Sequence, residues 1–148
     1  KINLPTSSPQ IITKQTDPGF ETKAYDFRDE KGKNILDYKT VVKNPNRFSS
    51  FEEKLFTNDL IETNYNFRNK HGQIQELAAI YHALIAKNYF NQQKFPGGKP
   101  IKEVDIRRFL DHRYQSSTQK QFNTWSNDRD KLADFINKRY WIDKLPVC

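Results

Sequence analysis

The strongest periodic pattern of hydrophobic residues lies between residues 73 and 90. Apolar side chains recur there every three to four positions, as on one face of a helix; they are Ile74, Leu77, Ala78, Tyr81, Leu84, Ile85 and Tyr89. Burying each large member contributes roughly 1.5–3 kcal/mol. We therefore expect this helix to form the scaffold of the core, with a loop over residues 91–99 that contains Pro96 and two glycines.

A shorter helical pattern begins near Pro100, which suits the first turn of a helix because its missing N–H has no partner there. Its apolar stripe is narrow and consists of Ile106, Phe109 and Leu110. The arginines of this segment lie off that stripe; they are Arg107, Arg108 and Arg113. The pattern predicts a helix with one buried face and one basic face.

A polar turn and a second short helix follow. Ser116, Ser117 and Thr118 offer N-caps, and Phe122 and Trp125 could anchor the helix to the core. Together with the preceding arginine-rich helix, this segment has the outline of a helix-turn-helix, although its turn lacks the glycine often found there.

The last helical pattern contains Leu132, Phe135 and Ile136, with Ser126 and Asn127 as candidate caps. One continuous helix over residues 118–140 is an alternative, because the apolar spacing continues through this region. We favour a break. The tail, residues 141–148, is expected to fold back through its aromatic residue and to fray beyond Pro146.

The first part of the chain has weaker patterns. Residues 1–20 contain three prolines and no periodicity, which predicts an extended arm. Residues 23–42 alternate and then become rich in β-branched and aromatic residues, so we predict a β-hairpin with Gly32 in its turn. Residues 44–46 predict a turn, and Ser50 with Glu53 forms a capping box for a short amphipathic helix.

These patterns predict an α+β protein that is mainly helical, with a small N-terminal hairpin region and a C-terminal helix-turn-helix-like bundle. We expect an arm at residues 1–20 and a single domain at 21–148. Within that domain, residues 21–67 would hold the hairpin and a short helix, and residues 68–148 a basic helical subdomain. A length of 148 residues suits one such domain.

Charge divides the chain unevenly. Residues 1–67 hold ten Lys and Arg against ten Asp and Glu, whereas residues 68–148 hold fifteen against eight. The net charge of +7 therefore belongs to the second part. A basic surface of this kind suits a polyanionic partner such as nucleic acid or an anionic membrane surface.

The compartment is less well defined by the sequence. Cys148 has no partner for an intrachain disulfide, and no apolar run is long enough to span a membrane. Both features favour a cytoplasmic protein. The chain begins with Lys1 and contains no methionine, so we expect that its first residue is not that of the primary translation product. A secreted origin therefore stays open.

The sequence offers no recognisable catalytic or cofactor motif. It contains no phosphate loop, nucleophile elbow, dinucleotide-binding glycine pattern or zinc-ligand spacing, so we expect neither an enzyme nor a cofactor or metal site. His82 fits a structural histidine better than a catalytic one. His112 could contact phosphate or face solvent. Tyr114, Tyr140 and Trp141 could stack on bases, although core packing is the simpler interpretation.

The nucleic-acid hypothesis concerns the two short helices. Amide side chains can pair with base edges, and lysine and arginine can bind phosphate. The predicted binding residues are Arg107, Arg108, Arg113, Gln119, Lys120, Gln121 and Asn123.

A resemblance to a known family points the same way. The stretch GQIQELAAIYHALIAKNYF, a loop, IKEVDIRRFLDHRY and QKQFNTWSNDRDKLADFINK resembles the C-terminal part of RteC-like regulatory proteins of Bacteroides mobile elements. It covers residues 73–139, with a longer Gly-Gly loop and a different turn. The resemblance implies a helical DNA-binding regulator.

We therefore expect a DNA-binding protein in transcription regulation, with duplex DNA as its partner and no membrane association. Two alternatives stay open: a protein-interaction module whose basic face meets an acidic protein, and a sequence-independent accessory factor in DNA transfer or replication.

Overall fold

The computed structural model of the protein describes residues 36, 38–92 and 100–148. Within these residues the chain is mainly helical, with two isolated antiparallel bridges. The helices are α1 (Tyr38–Val41), α2 (Pro45–Thr57), α3 (Gln73–Ala86), α4 (Glu103–Tyr114), α5 (Gln119–Ser126), α6 (Arg129–Asn137) and α7 (Tyr140–Asp143). The arm predicted at residues 1–20 lies outside the described residues, as do the predicted first strand and Gly32 turn of the hairpin and the glycines of the loop before Pro100.

Helix α1 occupies part of the segment for which the sequence predicts the second strand of the hairpin. Tyr38 and Val41 are both buried, at 2% and 0% exposure. Two residues three positions apart share one face of a helix, whereas in a strand they point to opposite faces. The strand prediction is therefore wrong for Tyr38–Val41. Val42 then forms an antiparallel bridge with Phe90.

Helix α2 begins earlier than the capping box predicts. Asn44 is its N-cap and accepts a hydrogen bond from the backbone N–H of Arg47 at 3.1 Å, and Pro45 occupies the first helical position. The expected turn at residues 44–46 is therefore the start of the helix. Ser50 and Glu53 lie inside it. Because Asn and Pro are common both in turns and at helix N-termini, this local sequence fits either structure.

Helix α3 is the central helix, as the sequence predicts. Leu77, Ala78, Tyr81 and Leu84 are fully buried. The helix ends at Ala86, before the predicted residue 90, and the chain turns at Asn88, which has a positive φ of 68°. Tyr89 therefore lies beyond the end of the helix but is still buried in the core. Its N–H donates to the carbonyl of Leu84 at 3.1 Å.

Helices α4 and α5 contribute the predicted apolar faces to the core. The three residues of the predicted apolar stripe of α4 are fully buried; they are Ile106, Phe109 and Leu110. Phe122 and Trp125 of α5 are 4% and 6% exposed, which confirms them as anchors. Pro100, however, lies before α4 rather than in its first turn.

The predicted break between α5 and α6 is confirmed. Asp128 is the N-cap of α6, in place of Ser126 or Asn127, and accepts a hydrogen bond from the N–H of Lys131 at 3.1 Å. Beyond α7 the tail is held in place, contrary to the expected fraying: the N–H of Cys148 donates to the carbonyl of Lys87 at 2.9 Å.

A hydrophobic core connects the described helices from Leu36 to Leu145. It takes side chains from both sides of residue 67, including Phe48 and Phe51 of α2. Helix α5 packs chiefly against α3. This packing positions the exposed side of α5, and the turn that precedes it, at the surface. None of the described helices has the length and apolar character needed to cross a membrane.

Candidate nucleic-acid interface

Arg113 is not available to a ligand, although the sequence predicts it as a phosphate contact. Its side chain is fully buried, and its Nε and Nη2 donate to the two carboxylate oxygens of Glu52 at 2.5 and 3.0 Å. The Tyr114 hydroxyl donates to the same carboxylate at 2.6 Å. Burial, followed by the charge of Glu52, raises the pKa of Tyr114 well above its ordinary value. Arg113 therefore connects α4 to α2 within the core.

Aromatic rings complete the environment of the Arg113 guanidinium. Its central carbon lies 5.0 Å from the ring centroid of Tyr38 and 4.9 Å from that of Tyr65. Cation–π attraction is stronger at such a desolvated position than at the surface. Sequence periodicity places Arg113 off the apolar stripe, but it gives no information about Glu52, which is 61 residues away. The buried pair explains why this prediction failed.

The other two arginines of α4 differ from each other. Arg107 is only 8% exposed, and its Nη1 donates to Asp111 at 2.8 Å, one helical turn along. Most of the Arg107 side chain is therefore enclosed, and only a small part of it is open to a phosphate. Arg108 is exposed and makes no ion pair within the described part of the chain. The predicted basic face of α4 is reduced to Arg108 and the edge of Arg107.

Asp111 organises the turn between α4 and α5. Its carboxylate accepts hydrogen bonds from the hydroxyl of Ser116 at 2.6 Å and from the hydroxyl of Thr118 at 2.9 Å. The backbone N–H of Thr118 adds a third at 3.2 Å. Thr118 is the N-cap residue of α5, as the sequence allows, but its side chain donates to Asp111 and does not cap the helix. This network fixes the start of α5 relative to α4.

The exposed side of α5 contains three of its four predicted contact residues. Gln119, Lys120 and Asn123 are exposed, and their side chains make no hydrogen bond or ion pair within the described part. At 100° per residue they fall within one arc of about 100°. Gln121 differs, because it is half-buried and its side-chain oxygen is enclosed without a hydrogen-bond partner. It is therefore poorly placed to contact a base.

The buried side of α5 is fixed on α3. The Phe122 ring stacks on the imidazole of His82 at a centroid distance of 3.9 Å and an interplanar angle of 15°. Trp125 Nε1 donates to the carbonyl of Gln75 at 3.0 Å. These contacts leave α5 little freedom to rotate, so the exposed arc keeps its orientation.

His82 takes part in this anchoring. Its Nε2 lies 3.0 Å from the carbonyl oxygen of Phe122, so Nε2 carries the proton and donates it. Burial lowers the pKa of His82, and the Arg129 charge lowers it further, while the bond to Phe122 and the Glu103 charge oppose this shift. The structural interpretation of His82 fits these contacts.

The three aromatic candidates for base stacking differ in how exposed their rings are. Tyr114 is fully buried, so the core-packing interpretation applies to it. Trp141 is half-buried and packs against the core. Tyr140 is 75% exposed, with the ammonium of Lys144 at 5.7 Å from its ring centroid. Of the three, only Tyr140 has a side chain that is mostly exposed.

A surface hollow of about 490 Å³ lies where α4 meets the turn. Helix α4 supplies Arg107, Arg108, Asp111 and His112 to its wall. The turn supplies Gln115, Ser116 and Ser117. The hollow thus combines hydroxyl groups with two guanidinium groups and one carboxylate.

Within residues 36, 38–92 and 100–148, no group of three histidine, cysteine, aspartate or glutamate side chains is placed to hold a metal ion.

Comparison with protein-family models, with curated proteins and with solved structures found no significant match to this chain.

Proposed function

We propose that the protein is a DNA-binding regulatory protein that contacts duplex DNA through α5. The observation that carries this proposal is that Gln119, Lys120 and Asn123 lie together on the exposed side of α5. The opposite side of the helix packs on the core. Glutamine and asparagine can bind adenine edges with two hydrogen bonds, and lysine can bind a phosphate. Arg108, on the preceding helix, adds a second phosphate contact.

The dimensions of α5 are compatible with this role. A helix of eight residues is about 12 Å long, close to the width of the DNA major groove. Because the side chains of Gln119, Lys120 and Asn123 make no hydrogen bond or ion pair within the described residues, their binding to DNA would not break existing interactions. The net charge of +7 would add long-range attraction to DNA. The resemblance to RteC-like regulators is in keeping with this proposal and extends it to cytoplasmic transcription regulation in a mobile element.

Selection from a random duplex pool, followed by fluorescence anisotropy over a salt series, tests the proposal. We expect Gln119→Ala or Asn123→Ala to cost about 1–3 kcal/mol on the selected duplex and little on a random one. Lys120→Gln should weaken binding to both duplexes and lower the salt slope by about one. Lys54→Gln, an exposed change on α2, is the matched control and should have little effect.

Three other outcomes would contradict specific recognition. Equal binding of all duplexes, with the two amide variants unchanged, would favour the sequence-independent accessory factor. Absence of any duplex binding at low salt would remove the DNA proposal and leave the interaction module. Identical behaviour of Lys120→Gln and Lys54→Gln would show that α5 is not the contact surface.

A further inference from the structure

The hollow between α4 and the turn before α5 is lined by arginine, carboxylate and hydroxyl side chains. The exposed side of α5, with Gln119, Lys120 and Asn123, is a different surface. The hollow is open to solvent, and its volume of about 490 Å³ exceeds what one phosphate group fills. Its wall contains both a buried and an exposed arginine, Arg107 and Arg108. This combination of volume and charge suits a ligand with an anionic group.

The carboxylate in the wall does not dominate the hollow. Asp111 already accepts hydrogen bonds from Arg107, Ser116 and Thr118 on its two oxygens. A carboxylate that already accepts this many hydrogen bonds has little capacity left for a further ligand. It therefore acts as a fixed support for Arg107. With two guanidinium groups against one carboxylate, the wall retains a surplus positive charge.

Arg107 has unused capacity to donate. Its side chain is 9% exposed, and Nη1 is taken by Asp111, but the buried Nε has no hydrogen-bond partner. Buried polar groups in native proteins are nearly always hydrogen-bonded, and a charged donor without an acceptor is unfavourable. Asp111 therefore satisfies only part of the hydrogen-bonding capacity of the Arg107 guanidinium.

Two exposed groups extend the donor set. Arg108 lines the same wall and forms no ion pair within the described residues. Ser117, also in the wall, is exposed and could donate a hydroxyl hydrogen bond. Guanidinium groups bind phosphate oxygens with two parallel hydrogen bonds, which a lysine cannot do. Arginines and a hydroxyl around one hollow thus match the oxygens of a phosphoryl group.

We propose that this hollow binds a phosphoryl group through Arg107, Arg108 and Ser117. The group could belong to a nucleic-acid backbone or to a free phosphorylated molecule, because both present the same oxygens. In the first case the hollow would fix the register of α5 on a duplex; in the second it would be a separate ligand site. The inference goes beyond DNA recognition by α5, because it does not require a duplex.

Calorimetric titration of the full chain with inorganic phosphate and with adenosine monophosphate tests the proposal. We expect Arg108→Gln to weaken binding about tenfold, as loss of a charged hydrogen bond does. Ser117→Ala should weaken it less, and Lys54→Gln should leave it unchanged. Arg108→Gln changes an exposed side chain, so we expect it to fold as the parent does. Arg107→Lys, checked for an unchanged unfolding transition, should also weaken binding because lysine lacks the planar fork.

A competition experiment distinguishes the two sources. Displacement of adenosine monophosphate by a short duplex would assign the hollow to the nucleic-acid backbone, and simultaneous binding would assign it to a free phosphorylated molecule. Each result supports the phosphoryl site. The phosphoryl site would be overturned if neither inorganic phosphate nor adenosine monophosphate bound. It would also be overturned if Arg108→Gln and Lys54→Gln bound these probes with equal affinity. The proposed DNA function is judged separately, by Gln119→Ala and Asn123→Ala on duplexes.

Discussion

Glu52 and Arg113 form an ion pair that is wholly enclosed by the protein, and the energetics of such pairs are asymmetric. Removing two charges from water costs several kcal/mol per ion, which the pair recovers only through good geometry. Here two hydrogen bonds between the side chains and a third from Tyr114 provide that geometry. Loss of one partner would leave the other charge buried without compensation.

We predict that Glu52→Gln lowers the free energy of unfolding by about 3–5 kcal/mol. The amide keeps the shape of the carboxylate but leaves the Arg113 charge uncompensated. Urea unfolding measures the effect. Glu53→Gln, at the next position of α2 and half-buried, should change stability by less than about 0.5 kcal/mol. Equal losses for both variants would show that the buried pair is not a major determinant of stability.

The pH dependence of stability provides a test at His82. Because burial holds its folded-state pKa below the ordinary value of 6.5, the folded protein disfavours the imidazolium. Above pH 6.5 the ring is neutral in both states and costs nothing. As the pH falls below 6.5, the unfolded chain binds the proton first, so stability decreases until the folded-state pKa is reached.

We therefore expect the parent protein to lose stability as the pH falls below about 6.5, with a His82 contribution of at most about 1.4 kcal/mol per pH unit. His82→Gln should remove that contribution and flatten the profile, although it also loses the stacking on Phe122. Urea unfolding at several pH values measures the slope. His71→Gln, an exposed change, is the control. A slope that persists in His82→Gln but disappears in His71→Gln would contradict the assignment.

At the scale of an element, the start of α2 depends on one side chain. Asn44 caps the helix, and its removal should cost about 1 kcal/mol, because a helix-terminal N–H loses its acceptor. Asn44→Ala should therefore lower the urea midpoint. Asn46→Ala provides a matched control, because Asn46 is exposed and its side chain makes no hydrogen bond within the described residues. A larger loss for Asn46→Ala would contradict the capping assignment.

The elements that the sequence predicts best are those whose signal is local and periodic. The core face of α3 and the anchors of α5 follow from spacing alone, since a helix repeats every 3.6 residues. The start of α2 is ambiguous because Asn44 and Pro45 suit a turn equally well. Residues 38–41 contain strand-favouring side chains, yet they form a helical turn that buries Tyr38. Burial in this core outweighs their local propensity, which spans only about 1 kcal/mol in strands.

The candidate interface was less predictable than the helices that carry it. The exposure of Arg108, Gln119, Lys120 and Asn123 follows from their positions off the apolar stripes. The burial of Arg113 does not, because it depends on a carboxylate in another helix. A signal was nevertheless present: Glu52 lies four residues after Phe48 and three before Leu55, so it shares their face of α2. An acidic residue on an apolar helical face suggests that a basic partner should be sought elsewhere in the chain.

At the scale of the whole molecule, the uneven distribution of charge is modified by folding. The basic excess lies in residues 68–148, but Arg113 from that part is neutralised by Glu52 from the other. The same two parts share one core. The surface charge available to a partner is therefore a property of the folded chain, and cannot be read from either part alone.

The distance along the chain between Glu52 and Arg113 also bears on the order of folding. Their contact spans 61 residues, so the intervening loop must lose conformational entropy before the pair can form. Both ions must shed water as well, and they receive full compensation only after α2 has docked on α4. A contact with these requirements is expected to form late on the folding pathway. Interactions that are absent from the transition state change the unfolding rate more than the folding rate. The pair would then determine how long the native state persists once formed, and have little effect on how quickly it is reached.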